Sequence, residues 1–343
     1  MAESSGGEQI IKICIPNAPD YYTQQIPRIR KIEFLTSGNI WLATGGLSKE
    51  IYYFENEGQV WKKLQIGAIK NFQTFDFPDA QNGWAVETNG NIWKTIDGGK
   101  NWNQVSSFAN LIKENKFLEA EDIKFTSAKN GWLREALNFY QTTDGGQNWR
   151  VVSQLLVPPQ ASFFLGKNGW MTFGDEYGVN PLQIFSTTDN GENWTKNKIA
   201  APVLTEAIFF INAKNGWLAT SGDELYATDD AGVSWTKVNL SEKNFRTKSI
   251  FRLDAQNGWL AGAIGNPDKP VADSSASVPV LLNTTDGGRT WKKFELKNGE
   301  RFFNQVYFAD SKNGWIVSRD RIYKTSDGGQ NWQPIMKIEL SCQ

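Results

Sequence analysis

Nine residues written six times limit what this chain can fold into more than any other feature. KTIDGGKNW at 94–102 returns as QTTDGGQNW at 141–149, STTDNGENW at 186–194 and ATDDAGVSW at 227–235. Two further copies are NTTDGGRTW at 283–291 and KTSDGGQNW at 324–332. A second landmark, the triplet NGW, ends at Trp84, Trp132, Trp170, Trp217, Trp259 and Trp315, each time ahead of one of these boxes. A degenerate seventh copy leads the series. There SGNIWLATGG carries Trp41, and FENEGQVW keeps the box spacing through Asn56, Gly58 and Trp61. Only Trp93 of the 15 tryptophans stands outside the pattern. Box tryptophans recur mostly every 41–47 residues, a period that belongs to a series of supersecondary units that bury each other's faces.

Within one period the pattern reads as four short strands. Over 302–338, QVYFAD alternates and runs into the turn SKNG; WIVSR follows; DR turns into IYKTS; DGGQ turns into NWQPIMKI. Short β-rich runs bounded by Gly, Asn and Asp are hairpin signals. Four strands per unit at this period describe propeller blades, so the expected fold is an all-β, seven-bladed β-propeller of four-stranded antiparallel blades. The blades fall at about 28–66, 71–106, 121–153, 160–198, 204–239, 248–296 and 304–338, a single domain spanning 28–338. Residues 1–27 form an N-terminal extension with one strand, EQIIKICIP, closing near the C-terminus, and 339–343 a C-terminal tail. Helix is expected nowhere except for a turn around 108–121.

The box has a structural reason to recur between the third and fourth strand. Asp97, Asp144, Asp189, Asp230, Asp286 and Asp327 can each accept hydrogen bonds from backbone N–H groups of their own turn. The following glycine supplies a positive φ. The box tryptophan is expected to wedge neighbouring units apart, its indole N–H satisfied at the rim. These are turns, not active sites.

Composition excludes several functions. With 36 basic and 37 acidic side chains the chain has a net charge of −1, which argues against nucleic acid as a partner. Histidine is absent, which removes Ser-His-Asp and Cys-His catalysis and imidazole metal sites; no metal and no cofactor is expected. No apolar run reaches the ~20 residues of a membrane span. MAESSGGEQ is no secretory signal, so the chain is either cytoplasmic or has had its signal removed. Cys14 and Cys342 are either two incidental thiols or a disulfide tying the termini together in an oxidising compartment.

The paired motif NGW with T-x-DGG-x-x-W resembles the Asp-box, or BNR, repeat, and more specifically the photosystem II stability/assembly factor-like family, over about residues 28–338. That resemblance implies a seven-bladed propeller. In photosynthetic members it further implies an extracytoplasmic chaperone holding an early reaction-centre subunit through an arginine patch on one face. An extracytoplasmic location (periplasmic, lumenal or secreted) is therefore favoured over the cytoplasm. A protein or peptide partner and a monomeric state are expected.

With strands lettered A to D, the A–B and C–D turns share one face and the B–C and D–A connections the other. Irregular connections at 107–120, 174–182 and 262–280 all fall on the second face, where binding residues tend to sit on a rigid scaffold. The candidates there are Arg28, Arg30, Arg134, Arg246, Arg301, Arg319 and Arg321, with Phe302, Phe303 and Tyr140 at similar heights. Arginine beside aromatics is a hot-spot composition, although Glu135, Glu176, Asp223 and Glu224 dilute it. The leading functional reading is a non-catalytic binding or assembly scaffold. The alternatives are a glycoside hydrolase or sialidase-like enzyme, which needs carboxylates but no histidine, and a glycan-binding propeller. IPRIR at 26–30 lacks the Arg-Ile-Pro order of sialidases, and seven units do not suit their six.

Overall fold

Successive hairpins with box turns build one sheet after another in the computed structural model. The structure describes residues 2–5, 8–13, 28–35, 40–45, 50–55, 60–63, 72–108, 120–135, 138–154, 159–174, 182–198, 204–221, 223–265, 277–296 and 303–340. Two strands precede the blades, β1 (Ala2–Ser5) and β2 (Glu8–Ile13). Blade 1 is β3 (Arg28–Phe34), β4 (Ile40–Gly45), β5 (Ile51–Glu55) and β6 (Val60–Lys63). Blade 2 is β7 (Phe72–Asp76), β8 (Gly83–Glu87), β9 (Asn91–Thr95) and β10 (Asn103–Ser107). Blade 3 is β11 (Ala120–Phe125), β12 (Gly131–Glu135), β13 (Asn138–Thr142) and β14 (Arg150–Gln154). Blade 4 is β15 (Ala161–Leu165), β16 (Asn168–Phe173), β17 (Gln183–Thr187) and β18 (Thr195–Lys198). Blade 5 is β19 (Thr205–Phe210), β20 (Gly216–Thr220), β21 (Leu225–Thr228) and β22 (Thr236–Val238). Blade 6 is β23 (Phe245–Arg252), β24 (Gly258–Ile264), β25 (Val278–Thr284) and β26 (Lys292–Glu295). Blade 7 is β27 (Gln305–Phe308), β28 (Gly314–Val317), β29 (Arg321–Thr325) and β30 (Gln333–Leu340).

Each blade is an antiparallel A-B-C-D meander, and together they are the blades of a seven-bladed β-propeller. The last sheet has six strands, in the order β1-β2-β30-β29-β28-β27. The chain divides into two compact units. One comprises Met1–Glu3, Ile10–Pro158 and Ile338–Gln343, with blades 1 to 3; the other comprises Ser4–Gln9 and Pro159–Lys337, with blades 4 to 7. No helix among the described residues is long and apolar enough to cross a membrane. The expected helical turn at 108–121, the box positions 56–59 of the degenerate copy, Cys14 and Cys342 lie outside the described residues, Phe108, Ala120 and Glu121 excepted. Two sequence boundaries shift: β30 runs to Leu340, and β24 and β25 carry strand into both ends of the 262–280 connection.

The box turn is built identically in six blades. In blade 3 the Thr142 hydroxyl donates to Asp144 Oδ1 at 2.8 Å and accepts the Gly146 N–H at 2.9 Å. Asp144 Oδ1 accepts the N–H groups of Gln147 and Asn148, both at 3.0 Å, and Oδ2 accepts the Asn148 amide at 2.8 Å. The same Thr-to-Asp bond recurs at Asp97, Asp189, Asp230, Asp286 and Asp327. Gly146 has φ +91°, which a side chain resists. A backbone bond then ties each box to the A–B turn of its own blade, as from Gly145 N–H to Lys129 O at 2.8 Å. Box and NGW turn therefore lie together, which is why the two landmarks travel as a pair.

The wedge between blades is not the box tryptophan, and here the sequence expectation needs correcting. The NGW indoles are the buried ones, while the described box indoles are only half-buried. Within the first unit Trp41 stacks on Phe77 of the next blade (4.3 Å, 14°) and Trp84 on Phe125 (3.6 Å, 6°). Within the second, Trp170 stacks on Phe210 (3.6 Å, 8°) and Trp259 on Phe308 (3.8 Å, 10°). The box tryptophan of the receiving blade closes the group edge-on, as Trp149 does against Phe125 (6.0 Å, 86°). Its own N–H is held locally by Gly146 O at 3.0 Å. The glycine of NGW has its reason here. A Cβ on Gly131 would come within 2.5 Å of the Phe125 ring, which needs that space to lie flat under Trp84.

Candidate binding surface

Four of the candidate arginines, Arg30, Arg134, Arg246 and Arg321, each face a carboxylate or amide. In the first unit, Arg30 on β3 reaches Gln73 Oε1 at 3.5 Å, and Arg134 on β12 pairs with Glu121 at 2.6 Å. In the second, Arg246 at the start of β23 faces Asp223 at 3.7 Å, and Arg321 at the start of β29 faces Glu8 of β2 at 3.4 Å. Arg319 is exposed in the turn before β29. The side chains of Arg28, Arg301 and Phe302 lie outside the described residues.

Two aromatic candidates are corrected. Phe303 is wholly buried and packs with Trp259, Leu281 and Phe308. Tyr140 is buried as well, edge-on to Phe108 at 4.9 Å, and burial raises its phenol pKa. Both are core residues. Strand alternation settles which side chains turn inward, and the height of a residue along a strand does not reveal it.

Three sets of functional groups escape the sequence reading. One is a charge network on the A strands of the first unit. Lys31 Nζ lies 2.7 Å from Asp122 and 3.6 Å from Glu33, while Lys124 Nζ lies 2.6 Å from Asp76 and 3.8 Å from Glu33. Asp76 is fully buried, and its other oxygen accepts the Phe125 N–H at 2.6 Å. Burial raises the Glu33 pKa against the pull of Lys124 and Lys31. For Lys31 burial works downward, and the carboxylates of Asp122, Glu33 and Asp76 outweigh it, so its pKa rises. The partners are far apart in sequence, and no local motif announces them.

The second set caps the A–B turns. Asp79 Oδ1 accepts the N–H groups of Gln81 and Asn82 at 2.8 and 2.7 Å, and Asp254 and Asp310 repeat the arrangement. The signal was present as D-x-x-N-G-W, three residues ahead of the asparagine. The third is Glu87, buried in blade 2, which accepts the Trp93 indole N–H at 2.9 Å and so accounts for the one tryptophan outside the repeat. Among the described residues no group of three or more His, Cys, Asp or Glu is placed to hold a metal ion.

Blades joined by stacked Trp–Phe pairs and fastened by Asp boxes define the class: an Asp-box β-propeller. Within that class the chain is similar to photosystem II assembly factors. The family model described as Photosynthesis system II assembly factor YCF48 matches residues 274–342. Photosystem II assembly lipoprotein Ycf48 of Synechococcus sp. (strain CC9902) is 26% identical over 277 residues, covering 79% of this chain and 63% of that protein. The chain thus spans less than two thirds of that relative's length. Among solved structures, YCF48 bound to D1 peptide superposes with a TM-score of 0.63 at 17% identity, over 88% of this chain and 94% of the other. The GH74 xyloglucanase of Xanthomonas campestris reaches 0.61 at 11% identity, over 91% and 54%; at this identity the likeness is one of fold.

Proposed function

We propose that this chain is a non-catalytic assembly factor that acts outside the cytoplasm and holds a segment of another protein on the side chains around its B–C and D–A turns. The observation that carries this reading is the 277-residue match to an assembly lipoprotein, extending over most of the blades. A structure of similar fold, YCF48 bound to D1 peptide, supports a peptide as the kind of partner. The side chains fit that role. Arg134 and Arg246 are each steered by one carboxylate, so their guanidinium forks are partly preorganised to meet acceptor groups of an incoming chain. Among the described residues Glu33, Asp76 and Asp122 converge, each within 3.8 Å of a lysine ammonium, and Glu242 and Glu295 meet on Lys293. A lysine-bridged cluster is not the water-separated acid and base of a glycosidase.

The test is fluorescence anisotropy of the full chain against a peptide array drawn from membrane-protein tails and loops of the same organism. Binding with a Kd on the order of micromolar is expected, weakened about tenfold by Arg134→Ala or Arg246→Ala and partly restored by Arg134→Lys. Hydrolysis of a glycoside panel by the purified protein, or no saturable peptide, refutes the proposal.

A further inference from the structure

Strand C of each blade sets one side chain opposite strand D, and two blades fill that place alike. Tyr52 stands across from Lys63 in blade 1, and Tyr226 across from Lys237 in blade 5. Two residues ahead of each tyrosine a glutamate, Glu50 or Glu224, accepts the phenol hydroxyl and pairs with the lysine. Blade 4 keeps the lysine over an aromatic ring, with Lys196 Nζ 5.6 Å from the Phe185 centroid. In blade 4 the ammonium lies over the ring, and in blades 1 and 5 the lysine stands across from the ring and pairs with the glutamate.

Blade 7 keeps the tyrosine and changes both companions. Pro334 stands opposite Tyr323 where the lysine would be, and Arg321 takes the glutamate's place. Arg321 faces Glu8 on β2 instead. Beside Pro334 a cavity of about 460 Å³ lies among Glu8, Glu295, Arg321, Gln330, Trp332 and Pro334.

We propose that this cavity is a saccharide-binding subsite that takes a neutral pyranose. A pyranose presents hydroxyls that both donate and accept, along with a C–H face that is apolar. The lining answers both requirements. Glu295 accepts only and Arg321 donates only, while Gln330, whose amide N–H donates to Asp327 O at 3.1 Å, keeps its oxygen as an acceptor and its second N–H as a donor. Trp332 is half-buried, and its N–H is already committed to Gly329 O at 2.9 Å, so it offers ring surface rather than a donor. Glu8 is paired with Arg321 and Glu295 with Lys293, so the lining is balanced in charge and suits a neutral sugar. The volume falls in the ~300–1,000 Å³ range of small-molecule sites. The inference goes beyond the peptide-binding role and does not rest on it, because different residues carry the two tests.

The experiment is saturation-transfer NMR and tryptophan fluorescence titration of the full chain with the methyl glycosides of glucose, galactose, mannose and N-acetylglucosamine, alongside a uronic acid and putrescine. At least one neutral glycoside is expected to saturate. Pro334→Lys, which restores the tyrosine–lysine pair, is expected to weaken it about tenfold or more, and Gln330→Ala to weaken it as well. Arg134→Ala, in the first unit, leaves the sugar affinity unchanged while weakening peptide binding. The proposal is overturned if no neutral glycoside saturates, if only the uronic acid or putrescine binds, or if both Pro334→Lys and Gln330→Ala bind like the parent chain.

Discussion

Replacing Thr142 by valine tests whether the box is held from its threonine rather than from its aspartate alone. The two side chains have nearly the same shape, so the packing is conserved and only the hydroxyl is lost. Thr142 is 1% exposed. Its oxygen makes two bonds: it donates to Asp144 Oδ1 at 2.8 Å and accepts the buried Gly146 N–H at 2.9 Å. A hydrogen bond to a charged acceptor contributes about 1.5–3 kcal/mol, and a buried amide left without an acceptor costs about 1–3 kcal/mol. Asp144 keeps its other donors and can rehydrate, which puts the first contribution at its low end. Thr142→Val should therefore cost about 2–4 kcal/mol. Thr142→Ser keeps both bonds and loses one methyl, at a cost of about 1 kcal/mol. Urea unfolding of the full chain, followed by tryptophan fluorescence and circular dichroism, reads both. Asp144→Ala combined with Thr142→Val should cost less than the sum of the two, because they share a bond. A valine variant within about 0.5 kcal/mol of the parent, or a serine variant as damaged as the valine one, refutes the reasoning.

Trp84→Phe removes the bond to Gly145 O at 2.9 Å and part of a ring stacked on Phe125, and should cost about 2–3 kcal/mol in the same assay; Trp102→Phe, at a half-buried box position, should cost less. The boxes should make the fold acid-sensitive. Backbone and side-chain donors, led by the N–H of Asn101 for Asp97 and of Asn331 for Asp327, hold these carboxyls down at about 2. A depressed carboxylate contributes stability above its unfolded pKa of about 3.9, and that contribution is lost as pH falls through the folded value. Unfolding midpoints should thus be level above about pH 5 and drop towards pH 2, with Asp327→Asn flattening part of the slope. Arg252 sits where five other blades place phenylalanine against the NGW glycine, with its guanidinium 4.1 Å from the Trp217 ring centroid and its pKa lowered to about 10 by burial. Arg252→Phe should restore the stack and raise stability by about 1 kcal/mol; a loss of more than that would show that the Arg252 bond to Ala255 O matters more than the ring.

The local features were legible because they are written locally. Thr-x-Asp-x-Gly-x-x-Trp closes on itself within nine residues, so spacing alone locates the turn, and the turn fixes which strands are C and D. The choice between the two tryptophans was not legible. Both are large apolar residues at the mouth of a strand, and what selects Trp84 over Trp102 as the wedge is a ring one blade away. A partial signal did exist: a phenylalanine six residues ahead of the NGW glycine at Phe77, Phe125, Phe210 and Phe308. The site residues were harder. Lys31 and Asp122 are 91 positions apart and meet only when A strands are brought side by side. Phe303 and Tyr140 turn into the core because of the pleat, which height along a blade does not reveal.

A repeat read seven times supplies its own control, and that separates structure from function here. Where blades agree, the shared residue answers a need every blade has: threonine and aspartate for the turn, glycine for the ring beneath it, indole for the neighbour. Selection for the fold alone keeps such positions alike. A blade that departs from the rest at a position whose packing the others solve in common needs another reason. Arg252 gives up a ring stack; Pro334 and Arg321 replace the lysine and glutamate that blades 1 and 5 set around their tyrosine, while in blade 3 it is Val151 that stands opposite Tyr140. In the first case the guanidinium still covers the same indole face, so packing is preserved and the departure is structurally compensated. In the second a cavity lies beside Trp332, with side chains of both charges around it. An unfilled departure is the costlier one for stability, since it forgoes contacts that the same scaffold makes elsewhere. Blade 7 is therefore where the proposed saccharide would supply contacts that this part of the fold lacks.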